Sequence, residues 1–194
     1  VFAELKKHRV ILVTGPHRSG TTICAKMIAH DTGHDFVIED EIGFGDLRKL
    51  SSFVHSNYSP VVIQCPFLTH IIDELNYAID LDYSDTLVVM MHRYLPDIIL
   101  SETKSKVDFN AVGENTRRAY RDESDAHPSD IKYKLWEYQC AVIPNAIDVG
   151  YESLKEHPLW IEDRSDMTFQ HEIIQAPLPK VFRDGIRAIQ YNAA

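Results

Sequence analysis

The sequence predicts an α/β fold in three layers, a central parallel sheet with helices on both faces. Short apolar runs at Val10–Val13, Val61–Ile63 and Thr86–Met91 read as strands. An unbroken apolar run is what a strand buried on both faces requires. Segments of helical period alternate with these runs, which makes the strands parallel neighbours joined by crossover helices. Gly15 and Gly20 bracket four residues between the first strand and the first helix, the spacing of a loop that cradles phosphate.

In chain order, Lys6–Arg9 is a basic entry to strand Val10–Val13. The first helix is expected over Thr21–His30, with Gly33 as its stop, because glycine accepts the left-handed turn that ends a helix. Phe36–Ile38 is a short second strand that runs into Glu39, Asp40 and Glu41. Asp46 is placed to cap a second helix reaching about Ser56. Ser59-Pro60 breaks the chain before strand Val61–Ile63. A helix is expected from Phe67 to Ile79, with Ile71, Ile72, Leu75 and Ile79 at helical spacing. Strand Thr86–Met91 ends at His92-Arg93, and a helix starts near Pro96 and Asp97. Residues 104–130 are polar and charged, and read as an excursion or lid on a single domain spanning 1–194. Ile131–Ile143 returns to amphipathic helix, Ala146–Gly150 is the last core strand, and a terminal helix is expected from Lys180. Ligands of such sheets lie beyond the carboxyl ends of the strands. That rule gathers the glycine loop, Glu39–Glu41, Gln64–Pro66 and His92–Arg93 along one edge.

A hydrophobic content of 44% with 25% charged residues supports a folded core rather than a disordered chain. The net charge of −9 argues against a general nucleic-acid binder, while leaving room for a local basic pocket. Cys24, Cys65 and Cys140 are widely spaced and form neither a disulfide framework nor a zinc pattern. There is no apolar run of membrane-spanning length and no leader pattern, so the expected compartment is cytoplasmic. The oligomeric state is not legible.

The loop is of P-loop type. Its glycines let the backbone turn tightly, and the helix N-terminus aims N–H groups at an anion. It lacks the lysine that follows the second glycine in nucleotide hydrolases. Thr21 and Thr22 follow Gly20 instead, and the basic residues His17 and Arg18 lie inside the loop. Strand Thr86–Met91 ends in His92-Arg93, not in the Asp with which a phosphoryl transferase usually holds magnesium. No metal is therefore expected.

Pro16-His-Arg-Ser-Gly-Thr-Thr22 resembles the loop by which sulfotransferases hold the 5′ end of 3′-phosphoadenosine 5′-phosphosulfate (PAPS). Arg93-Tyr-Leu-Pro-Asp-Ile-Ile-Leu-Ser101 resembles the second anion motif of that family, with Arg first, Asp97 in the middle and Ser eight residues after the Arg. Gly150-Tyr-Glu-Ser-Leu-Lys-Glu-His-Pro158 resembles a third family segment, where the Tyr can contact adenine. All three occur in the family's order. The resemblance implies that His17, Arg18, Ser19, Gly20, Thr21 and Thr22 hold the 5′-phosphosulfate. It gives Arg93 and Ser101 the 3′-phosphate and Tyr151 the adenine. The family's late Arg-Lys-Gly loop has a short echo in Phe182-Arg-Asp-Gly-Ile186, which adds Arg183, with Asp184 in the place of the Lys. Ile23 stands where relatives often carry an aromatic residue.

The implied reaction is in-line transfer of a sulfuryl group from PAPS to a hydroxyl or amine, releasing adenosine 3′,5′-bisphosphate. The sulfuryl group carries less negative charge than a phosphoryl group, so side-chain and backbone donors suffice without a metal. Arg18 is the candidate to stabilise charge on the bridging oxygen, with His17 assisting. A base must take the acceptor's proton, and Glu39, Asp40, Glu41, His55 and His70 are available. Some relatives use a His before the third strand ends, and others a Glu after the second strand. Gln64-Cys65-Pro66 occupies the first of these places, so Glu41 leads and Glu39 follows. The acceptor is a small molecule or carbohydrate of open identity. Two alternatives stand beside this reading. One is a P-loop nucleotide or small-molecule kinase, which requires ATP and magnesium. The other is a non-catalytic nucleotide-binding relative.

Overall fold

The structure, a computed structural model, describes residues 1–43, 46–70, 84–104 and 145–160. Among these residues one parallel sheet contains β1 (Val10–Thr14), β2 (Asp35–Ile38), β3 (Val61–Gln64), β4 (Thr86–His92) and β5 (Ala146–Gly150), in the order β2-β3-β1-β4-β5. The helices are α1 (Thr21–Thr32), α2 (Leu47–Ser56) and α3 (Leu95–Thr103). Short 3-10 turns cover Ala3–Lys7, Pro66–His70 and Tyr151–Glu156.

Strand alternation divides the core into two layers. Ile11, Val13, Val62, Val89 and Met91 pack with α1 on one face of the sheet. Val10, Leu12, Val61, Ile63, Val88 and Met90 pack with Leu50 and Val54 of α2 on the other. Coverage on both sides is the physical reason for the unbroken apolar runs. Burial extends nearly round α1. Even Lys26 is only 4% exposed, and burial pulls its ammonium down to about 8.

The boundaries follow the sequence closely, with one difference in kind. Gly33 ends α1 in the left-handed region at φ 73°, and its amide donates to the Ala29 carbonyl at 2.9 Å. The Asp46 carboxylate caps α2 by accepting from the amides of Arg48 and Lys49 at 2.9 and 3.3 Å. The helix expected from Phe67 does not start as an α-helix, because Pro66–His70 is a 3-10 turn. Tertiary contact overrides helical period here. The Thr69 hydroxyl is drawn back to Thr14 and Gly15 at the end of β1. The rest of that expected helix, the 104–130 excursion, helix Ile131–Ile143 and the terminal segment with Arg183 lie outside the described residues. Cys24 and Cys65 are buried, and burial pushes the Cys24 thiol up. Among the described residues no helix is long and apolar enough to cross a membrane.

The turn after β5 is fastened to the far end of α1. The Phe2 amide and His157 Nε2 reach the Asp31 carboxylate at 2.8 and 3.2 Å, and the buried His157 ring stacks on Phe2. Burial by itself would raise the Asp31 carboxyl. The Phe2 amide, His30 and His157 oppose it, and the carboxyl is held well below the usual range. Burial lowers the His157 imidazole against the pull of Asp31. A depressed folded-state pKa contributes stability above the group's ordinary value and loses it as pH falls. For His157 the loss begins below 6.5, and for Asp31 below 3.8. Thermal melts between about pH 7 and pH 5 should therefore show a falling Tm in the wild type. The fall should be smaller in His157→Asn; parallel curves for the two proteins would contradict this role for His157.

Candidate anion-binding site

The connection leaving β1 leads toward β2, and the one leaving β4 leads to β5 on the opposite side, while β1 and β4 are neighbours. Their carboxyl ends therefore open a cleft at the switch point of the sheet. The Gly15–Gly20 loop leaves β1 at this cleft, and Arg93 leaves β4 there.

The base of the loop is fixed from several sides. The Gly15 amide donates to Thr69 Oγ1 at 2.9 Å, and the hydroxyls of Thr14 and Thr69 are hydrogen-bonded at 3.0 Å. The Ser19 hydroxyl is fully buried and donates to the Pro16 carbonyl at 2.6 Å. Gln64 Nε2 donates to the buried Thr21 hydroxyl at 3.3 Å. Ser19 and Thr21 thus shape the loop from within. No side chain caps α1 at Gly20, which leaves the first-turn N–H groups to an anion.

Among the described residues, Arg18 is the non-glycine residue with positive φ, at 68°. That conformation costs about 1 kcal/mol for a residue with a Cβ. It accompanies a side chain reaching α3, where Arg18 Nε donates to Ser101 Oγ at 3.0 Å. Arg93 donates to the Arg18 carbonyl at 3.3 Å, and its guanidinium lies 4.1 Å from the Tyr151 ring centroid. Tyr151 packs in turn on Gly20, where an added Cβ would stand 2.5 and 3.0 Å from two ring carbons. Trp160 meets the Tyr151 ring edge-on at 5.4 Å. Residues from three distant segments therefore form one connected group around the loop.

The remaining expected residues are distributed more widely. His17 is half-buried in the loop, and Thr22 is half-buried in the first turn of α1. Glu39 and Glu41 follow β2, two strands away from β1, about 10 Å at ~4.8 Å per strand. Glu41 accepts from the Ile38 amide at 3.5 Å. Partial burial raises the Glu41 carboxyl, the Ile38 amide opposes that shift, and Asp40 adds to it. Arg183 lies outside the described residues. Among the described residues no group of His, Cys, Asp and Glu could hold a metal ion.

Two features were not read from the sequence. Thr69 lies five residues past the end of β3, and only its contact with Gly15 reveals a role. His92 Nδ1 and Asp148 Oδ1 are 2.6 Å apart. Alternation assigns each side chain to a face, but the pairing of Met90 with Asp148 and of His92 with Gly150 makes them neighbours.

No family model matches the chain, and no curated protein matches it. Among solved structures, an unliganded sugar kinase from Janibacter sp. HTCC2649 is 17% identical, with a TM-score of 0.43. The match covers 78% of this chain and 92% of that one. The activity has to be argued from the site.

Proposed function

We propose that the chain is a PAPS-dependent sulfotransferase. The observation that carries this reading is the meeting of its three family-like segments. Arg18 bonds Ser101, and Arg93 joins the Arg18 carbonyl to the Tyr151 ring. Such a group suits a ligand with two separated anions and a flat ring. The first-turn amides of α1 and the Arg18 guanidinium serve the 5′-phosphosulfate. Arg93 and Ser101 serve the 3′-phosphate, since arginine offers a planar fork matched to phosphate oxygens. Tyr151, already stacked under a guanidinium, serves the adenine.

In this reading the acceptor oxygen attacks sulfur in line with the bridging oxygen. Negative charge grows on that oxygen as the bond breaks, and Arg18 stabilises it. The acceptor is a small molecule or carbohydrate.

A thermal-shift comparison tests the reading. Adenosine 3′,5′-bisphosphate at about 100 times its Kd should stabilise the protein by about 2.7 kcal/mol, a rise of about 5–10 °C in Tm for a chain of this size. ATP with magnesium should give little. Stabilisation by ATP-magnesium alone would overturn the proposal in favour of a phosphoryl transferase on the same loop.

A further inference from the structure

The turn after β5 is tied to α1 through one buried ring, His157, whose two nitrogens have different roles. The Leu159 amide nitrogen lies 3.1 Å from His157 Nδ1. A backbone N–H can only donate, so Nδ1 offers its lone pair. The proton of the neutral imidazole is therefore on Nε2, 3.2 Å from Asp31 Oδ1. The Trp160 amide donates to the His157 carbonyl at 2.8 Å. Leu159 and Trp160 pack against the α1 side of the core, and the Trp160 ring meets Tyr151 edge-on at 5.4 Å. Tyr151 in turn packs on Gly20 and lies under the Arg93 guanidinium. One imidazole lone pair thus fastens the segment that braces the anion-binding loop.

Only the neutral ring can do this. An imidazolium carries a proton on both nitrogens. Its Nδ1–H would face the Leu159 N–H, donor against donor, and that hydrogen bond is lost. The bond to Asp31 becomes charge-assisted on both sides and gains strength. Protonation therefore tightens the ring on α1 while it releases Leu159. We propose that His157 is a pH-sensitive latch, whose protonation frees the Leu159–Trp160 segment from Tyr151 and weakens anion binding at the loop. The nucleotide as ligand rests on the sulfotransferase reading; the latch rests on the two ring hydrogen bonds. The groups facing the ring are Asp31 and His30 of α1, with His30 edge-on at 6.3 Å. From the segment before β1, Phe2 stacks on the ring and the Val1 nitrogen reaches Asp31 Oδ2 at 3.0 Å. Lys155 and Glu156 of its own turn are exposed. Burial lowers the imidazole and Asp31 opposes the shift, so the ring takes its proton below the ordinary 6.5. The ligand favours the neutral ring, so its affinity is full above that value and declines as pH falls.

Affinity for adenosine 3′,5′-bisphosphate is measured by calorimetry between about pH 7.5 and pH 5, for wild type and His157→Asn. Asparagine keeps an acceptor for the amide two residues on, and it does not titrate. The ligand's phosphates lose charge over this range, but equally for both proteins, so the ratio of the two affinities is the measure. Wild type should lose about 2- to 12-fold against His157→Asn toward the acid end, the worth of one hydrogen bond. A Trp136→Phe background leaves Trp160 as the one tryptophan. Its emission should move to longer wavelength on acidification, and should stay in place once His157→Asn is added. Ring-nitrogen NMR of the wild type at neutral pH should show the His157 proton on Nε2, and the Leu159 amide resonance should follow the titration of the ring. An Nδ1-protonated tautomer, a Trp160 emission unmoved while His157 titrates, or a constant ratio of affinities would each overturn the latch. If the wild type does not bind the bisphosphate at any pH, the sulfotransferase reading falls, and the emission and NMR titrations still decide the latch. Those two titrations on the wild-type ring also decide it should His157→Asn fail to fold.

Discussion

Gly15→Ala should destabilise the protein by about 3 kcal/mol, and so lower Tm by about 6–12 °C in a chain of this size. Two independent effects add. Gly15 has φ 142°, a backbone conformation that side chains rarely adopt. A Cβ there would also strike the Met91 carbonyl oxygen and stand 2.9 Å from the Met91 Cβ. The obstacle is backbone in β4, which is paired with β1 and β5, so it cannot swing aside as a flexible side chain would. The same shift would loosen the Gly15 amide from Thr69 and open the root of the loop. Chemical denaturation and a thermal melt at neutral pH measure the change. A Tm within a degree or two of wild type would mean that β1 and β4 can separate at little cost, contrary to their close contact.

Arg93→Met should weaken binding of adenosine 3′,5′-bisphosphate about 30- to 4,000-fold. A hydrogen bond from a charged group contributes about 1.5–3 kcal/mol, and a cation over an aromatic ring about 0.5–2 kcal/mol. Together they come to about 2–5 kcal/mol, at 1.4 kcal/mol per tenfold. Arg93 touches both the Arg18 carbonyl and the Tyr151 ring, so its loss removes the proposed phosphate donor and the tie between loop and ring together. Arg93→Lys should recover only part of the affinity, because an ammonium keeps the charge without the planar fork. Isothermal titration of the three proteins decides the matter. Equal affinities would remove Arg93 from the site.

Much of this architecture is legible in the residues themselves. Unbroken apolar runs announced strands covered on both sides, and β1, β3 and β4 carry side chains from both layers of the core. Gly33 and Asp46 marked helix ends because the left-handed turn and the side-chain cap are local chemistry. The spacing of Gly15 and Gly20 announced the loop for the same reason. The start of the Phe67 segment was misread as α-helix because the Thr69 hydroxyl answers to β1, far away in the chain.

What the sequence determined alone was therefore the five described strands, helices α1, α2 and α3, and the loop that follows β1. Only the tertiary structure decided which side chains meet there. Arg18 and Ser101 are 83 residues apart, and His92 and Asp148 are 56 apart. Periodicity tells each residue which face it occupies, but it carries no information about which strand lies alongside. That depends on the crossovers that set the order β2-β3-β1-β4-β5, and those are fixed by burial summed over the whole chain rather than by any local run of residues.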